Sequence, residues 1–238
     1  MFSEKELSLQ ERRLKAFSKF LGYGREDATI VAIGSEEGLP SNEATIDERI
    51  EKYMHGDYWL ESNNETPPNI IGVEGFIVNL LKKLKERKIN GFENIDPVNN
   101  YNAVVHNMNI IPIGCKSEGK AENAYENIFG ISHIKLREHY ELDKNRIEII
   151  KKFINFKISQ KEKPLIVVMG NVAGKYFLDN NIISSPDSCQ YKDWRKGRKN
   201  KSPLNWSSDK LVWLMGHPSH GWTDEEVIDK MMELKSNA

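Results

Sequence analysis

Three apolar stretches decide the fold class: Thr29–Gly34 (TIVAIG), Pro164–Gly170 (PLIVVMG) and Leu211–Gly216 (LVWLMG). Each is an almost unbroken apolar run that ends on a glycine, which is typical of strands covered on both faces. A fourth, less regular run covers Ala103–Ile113, and its Pro112 predicts that strand pairing ends near that residue. Together the four runs predict a central sheet of four strands, mainly parallel.

The segments between these runs have the apolar spacing of amphipathic helices. Apolar residues recur near every 3.6 positions in Glu6–Phe20, Gly75–Lys88 and Asp143–Ser159, and a last helix is predicted over Asp224–Ser236. Strands that alternate with helices imply right-handed crossovers and helices on both faces of the sheet. We predict an α/β protein with a three-layer α/β/α arrangement and a single domain over residues 1–238.

Composition limits the class of function. The chain has 34 Lys and Arg against 35 Asp and Glu, and a net charge of −1 argues against a wholly basic nucleic-acid-coating protein. The only cysteines, Cys115 and Cys189, cannot form a four-thiolate zinc or iron–sulfur site, so we expect no metal and no cofactor. No apolar run approaches the roughly 20 residues that cross a bilayer. We expect a cytoplasmic monomer without a membrane partner.

Polar segments follow the predicted strands, and in parallel sheets ligands bind beyond the carboxyl ends of the strands. After the first strand comes Gly34-Ser35-Glu36-Glu37-Gly38, predicted as a glycine-bounded turn, and after the second comes Asn109 to Lys116. The carboxylates of the first segment can activate water, or they can belong to a solvated acidic loop. His217, directly after the last strand, can stabilise a leaving group or make a structural hydrogen bond. We expect these segments to meet at one edge of the sheet.

A basic segment precedes the last predicted strand. Residues 192–201 (KDWRKGRKNK) carry six basic side chains, with Trp194 within the segment and Trp206 just after it. Such a segment suits a phosphate backbone and unpaired bases, and the alternative is a solvated surface loop. His106 and Met108, inside the second apolar run, are predicted to be core or strand residues.

Two of these segments together resemble the signature motifs of the uracil-DNA glycosylase superfamily. The first motif of that family reads G-Q-D-P-Y, G-x-N-P-G or G-E-A-P-G in different branches, and the second reads H-P-S, as in residues 217–219 here. The resemblance implies that Glu36 orients water, since it falls on the third position of the first motif. Ser35 falls on the position that carries the catalytic acid in another branch. His217 falls on the histidine that stabilises the leaving base anion.

The same resemblance implies the binding residues. Asn109 resembles the asparagine that reads the uracil edge, with Gly34, Ser35 and Gly38 around the base. Segment 219–222 resembles the stretch that enters the minor groove, where Trp222 either fills the vacated stack or acts as a hydrophobic staple before the last helix. The residues expected to contact DNA are Ser219, His220, Trp222, Arg195, Lys196, Arg198 and Lys199.

The chain also departs from the family pattern. Glu37 replaces the usual proline of the first motif, and Ile70 occupies the position of the aromatic that stacks on uracil. Tyr58 or Trp59 is a candidate replacement for that ring. The resemblance implies an enzyme that excises uracil or another damaged base from DNA. The alternatives are a non-catalytic nucleic-acid or nucleotide-binding protein, and a hydrolase or transferase that uses Glu36 and Glu37 on a small nucleoside.

Overall fold

A computed structural model describes residues 8–38, 72–115, 129–160, 164–183, 205–206, 212–216, 228–229 and 232. Within these residues one sheet has the strand order β2-β1-β3-β5-β4. Four strands are parallel, namely β1 (Ile30–Gly38), β2 (Val105–Cys115), β3 (Leu165–Met169) and β5 (Val212–Met215). The short β4 (Asn205–Trp206) pairs antiparallel with β5. The α/β class with four parallel strands is therefore confirmed, and β4 was not predicted.

Helices lie between the strands, as their apolar spacing predicts. They are α1 (Leu9–Lys19), α2 (Gly72–Glu86), the short α3 (Tyr101–Val104), α4 (His133–Leu142), α5 (Lys144–Ser159) and α6 (Asn171–Asp179). Ser8 and Glu11 form a capping box at the start of α1, which explains why the helix begins there. Ile228, Asp229 and Met232 are also helical, within the predicted last helix.

Alternating strand residues place helices on both faces of the sheet. In β3, Leu165 and Val167 pack with apolar residues of α2, whereas Ile166 and Val168 pack with those of α1, α4, α5 and α6. Ile228 and Met232 join the α2 side. Every residue of β3 is buried, which accounts for its unbroken apolar sequence.

β1 and β2 are longer than predicted. Residues 34–38 form the second half of β1 and not a turn, because β2 continues beside them to Cys115. The predicted end of pairing near Pro112 is also wrong. Between Glu36 and Glu37 the β2 partner changes from Ile111 to Gly114, and this register shift leaves Pro112 outside the paired positions. Proline, which has no N–H to donate, is accommodated by such an irregularity.

The outer edge of β2 is covered by the segment between α1 and β1. Tyr23 N donates to Asn107 O (2.8 Å) and Asn107 N donates to Tyr23 O (2.7 Å). Gly22 makes this approach possible, because it has φ +111° and a Cβ there would lie 2.0 Å from Asn107 O. The chain's own backbone thus pairs with this edge of β2 at Asn107.

Two buried side chains hold the same segment against the sheet. His106, which is fully buried as predicted for a core residue, lies with its Nε2 2.9 Å from Leu21 O. Lys157 of α5 donates to the carbonyl oxygens of Glu26 and of Ala28, the latter at 3.1 Å. Burial lowers the pKa of His106 to about 4, and it lowers the pKa of Lys157 to about 8.

Candidate functional site

The strand order places a topological switch point at the carboxyl ends of β1 and β3. The chain leaves β1 toward β2 on one side and leaves β3 toward β5 on the other, so the connections diverge there. Within the described residues β1 pairs with β3 as far as Ile33 opposite Val168, and Gly34–Gly38 pair with β2. A divergence of this kind is where ligands bind in open α/β sheets. The helix α6 begins beside it, directly after Gly170, whose φ is +95°.

Gly34 and Asn109 meet beside this switch point. They are register partners on β1 and β2, and a Cβ on Gly34 would lie 2.6 Å from Asn109 Oδ1. The amide oxygen of Asn109 therefore lies directly against the Gly34 backbone. Asn109 is partly buried, and none of the described residues makes a hydrogen bond to its carboxamide. A carboxamide of this kind carries both donor and acceptor groups.

A polar stripe continues from Asn109 along the face of β2 that α2 covers. Asn107 lies two positions earlier, so its side chain leaves the same face, and it accepts a hydrogen bond from Tyr101 Oη (3.5 Å). Burial and the charge of Glu74, in the first turn of α2, raise the pKa of Tyr101 well above its ordinary value. The Tyr101 phenol therefore stays protonated and acts as a donor. The spacing Asn107-x-Asn109 within an apolar run is the sequence signal that could have predicted this stripe.

One buried arginine binds the backbone at Asn109 from the other side of the strand. Arg146 of α5 is fully buried and donates through Nη2 to Asn109 O (2.7 Å) and through Nε to Ile110 O (3.1 Å). Its Nη1 donates to Ser18 O (3.1 Å) and to Phe20 O, at the end of α1. Sequence reasoning missed Arg146, because an arginine in an amphipathic helix is ordinarily a surface residue.

The remaining predicted site residues are only partly placed. Ser35, Glu36 and Gly38 lie in the extended half of β1, and Gly38 pairs with Cys115 roughly 13 Å along the strand from Gly34. The side chains of Ser35 and Glu36 lie outside the described part of the structure. The other predicted residues, His217, Ser219, His220, Trp222, Arg195, Lys196, Arg198 and Lys199, also fall outside the described residues. The structure thus brings together Gly34 and Asn109.

A separate groove of about 480 Å³ lies between α1, α4 and α5. Leu14 and Ile149 contribute its apolar lining, and Ser18 and Asp143 meet there through a hydrogen bond of 2.8 Å. Neither Gly34 nor Asn109 lines this groove.

Comparison with known proteins provides no relative: no family model, no curated protein and no solved structure matches this chain. Among the described side chains, no three of His, Cys, Asp and Glu lie close enough together to hold a metal ion. The helices within the described ranges are all too short or too polar to cross a bilayer.

Proposed function

We propose that the chain is a DNA base-excision enzyme that resembles the uracil-DNA glycosylases. The observation that carries the proposal is the Asn109 carboxamide, which lies against Gly34 at the carboxyl edge of the sheet and has no hydrogen-bond partner among the described residues. An amide offers one acceptor and two donor hydrogens, which suits the hydrogen-bonding edge of a nucleobase. The parallel sheet with helices on both faces supports the three-layer arrangement of that family as part of the same proposal.

The proposed reaction breaks the bond between the base and its sugar. The target nucleotide leaves the duplex, because the glycosidic carbon cannot be reached inside the stack. Positive charge then develops on the sugar, where Glu36 stabilises it and orients water. Negative charge develops on the base, where His217 donates a hydrogen bond. The basic segment 192–201 and residues 219–222 bind the DNA backbone and the vacated stack. The proposed partner is damaged or uracil-containing DNA.

Excision of a base leaves an abasic site that alkali cleaves, and this provides the test. The protein is incubated with single-stranded and duplex oligonucleotides that carry uracil, hypoxanthine or xanthine, and strand cleavage is measured. We expect N109A, E36Q and H217A each to lower the rate of base release by a factor of order 10²–10³, the usual loss when one electrostatic stabiliser is removed. The matched control is N79A, which removes an exposed asparagine from α2 and should leave the rate unchanged.

Two results decide against the proposal. If folded protein releases no base from any of these substrates, the chain is not a glycosylase for them. If it still binds the oligonucleotides, and binding survives E36Q and H217A but not neutralisation of the basic segment, the non-catalytic nucleic-acid-binding alternative is favoured.

A further inference from the structure

Arg146 joins three elements through one buried guanidinium. It donates to two successive carbonyls of β2, those of Asn109 and Ile110, and to the carbonyls of Ser18 and Phe20 at the end of α1. The carbonyl end of a helix carries partial negative charge, so the burial of this cation is compensated by the α1 terminus as well as by β2. The guanidinium therefore sets the distance between α1, α5 and the β2 backbone at Asn109.

The two bonds to β2 reach successive carbonyls of the strand. In a regular strand, successive carbonyls point in opposite directions, and one planar fork cannot bind both. Here Arg146 binds the carbonyls of Asn109 and Ile110 at 2.7 and 3.1 Å. Ile110 and Ile111 are packed in the same apolar cluster, whereas neighbouring residues of a regular strand face opposite ways. The pairing with β1 remains in register from Asn109 to Ile111, and it shifts only after Ile111.

We infer that Arg146 is a positioning residue that holds the Asn109 carboxamide in place and thereby sets which base the site accepts. This inference rests on the proposed function for its second part. On the β1 side, Gly34 fixes the space for the Asn109 side chain, because the missing Cβ leaves room for Oδ1. Arg146 holds the backbone carbonyl of the same residue. Lysine cannot replace Arg146, because a single ammonium group cannot span the four carbonyls of Ser18, Phe20, Asn109 and Ile110 that the planar guanidinium binds through three nitrogens.

Lys157 provides a matched control on the same helix. It is likewise fully buried and bonded to two backbone carbonyls, those of Glu26 and Ala28, which precede β1. Loss of either cation removes buried hydrogen bonds and lowers stability. Of these two cations, Arg146 donates to the backbone of Asn109, whereas Lys157 donates to residues before β1. A purely structural role predicts similar consequences for changes at the two positions, whereas a positioning role predicts different ones.

The first measurement does not depend on activity. In ¹⁵N-labelled protein the side-chain amide signals of Asn109 are identified by their absence from N109D. We expect R146K and R146Q to shift these signals. G34A should also shift them, because the new side chain on β1 displaces the amide while the guanidinium is unchanged. K157M should leave them in place. If the Asn109 signals of folded R146K and R146Q stay at their wild-type positions, Arg146 does not position this side chain.

The second measurement is the ratio of kcat/KM for the preferred base to that for a competing base. A displacement near 1 Å can cost of order 10²-fold in rate, so we expect this ratio to fall at least about tenfold in R146K and in G34A. In K157M the ratio should be unchanged even where thermal stability drops. A parallel loss for both bases in R146K, with an intact ratio, would refute a role in base selection. If no base is released by the wild-type protein, the proposed function fails, and the amide signals alone decide the role of Arg146.

Discussion

His106 makes the stability of the protein depend on pH in a range that its buried site determines. Its ring is fully buried with Nε2 2.9 Å from Leu21 O, and burial lowers its pKa from 6.5 to about 4. The unfolded chain therefore takes up a proton on this ring near pH 6.5, while the folded protein resists protonation until about pH 4. Stability from this group is fully present above pH 6.5 and is lost as the pH falls through 6.5 toward 4.

The expected loss follows from the size of the shift. A difference of 2.5 pH units between pKa values of 6.5 and about 4 corresponds to about 3 kcal/mol at 1.36 kcal/mol per unit. Because carboxylates titrate in the same range, the quantity to measure is the free energy of unfolding of wild type minus that of H106Q. Glutamine does not titrate, and its amide can still donate to Leu21 O.

Urea denaturation at pH 7 and at pH 4 provides that difference. We expect the wild-type minus H106Q difference in the free energy of unfolding to be about 3 kcal/mol lower at pH 4 than at pH 7. The control is H139Q, which removes an exposed histidine of α4 and should leave the acid loss of stability in place. A wild-type minus H106Q difference that is the same at both pH values would refute the argument from burial.

Two glycine substitutions test the backbone contacts around β2. In G34A the new Cβ would lie 2.6 Å from Asn109 Oδ1, so the amide must move by roughly 0.8 Å to reach an ordinary contact of 3.4 Å. We expect a loss of order 10² in kcat/KM with little change in melting temperature, and wild-type kinetics would contradict the contact. In G22A both a positive φ and a 2.0 Å contact with Asn107 O oppose the side chain. Urea denaturation should show a loss beyond the ~1–3 kcal/mol of backbone strain. G91A, with φ +88° and nothing within 4 Å of the new Cβ, is the matched control, and equal losses in the two variants would refute the steric contribution.

The cores of the strands and helices were predictable from local sequence. The run Pro164–Gly170 predicts a strand that the structure shows as Leu165–Met169, because a strand covered on both faces must be apolar at every position. The helix predicted over Asp143–Ser159 is observed as Lys144–Ser159, with Asp143 as its N-cap. His106 was also predicted correctly as a core or strand residue, since it lies inside an apolar run.

The end of β1 was not predictable in this way. Glycines at positions 34 and 38 with two glutamates between them are typical of a turn, yet residues 34–38 remain extended. Strand length depends on whether a partner continues alongside, and β2 does so until Cys115. The partner is distant in the chain, so no local pattern contains that information.

In the candidate site, too, local sequence predicted some features and tertiary contacts determined the others. Gly34 and Asn109 were each singled out from their places after apolar runs, but their contact depends on the register between β1 and β2. No sequence pattern distinguished Arg146 from the surface residues of its helix. Its guanidinium is buried and hydrogen-bonded because the helix packs against α1 and β2. Hydrophobic periodicity is a property of neighbouring residues and can be recognised in the chain itself. Strand register and buried polar contacts form between segments far apart in sequence, so only the tertiary structure determines them.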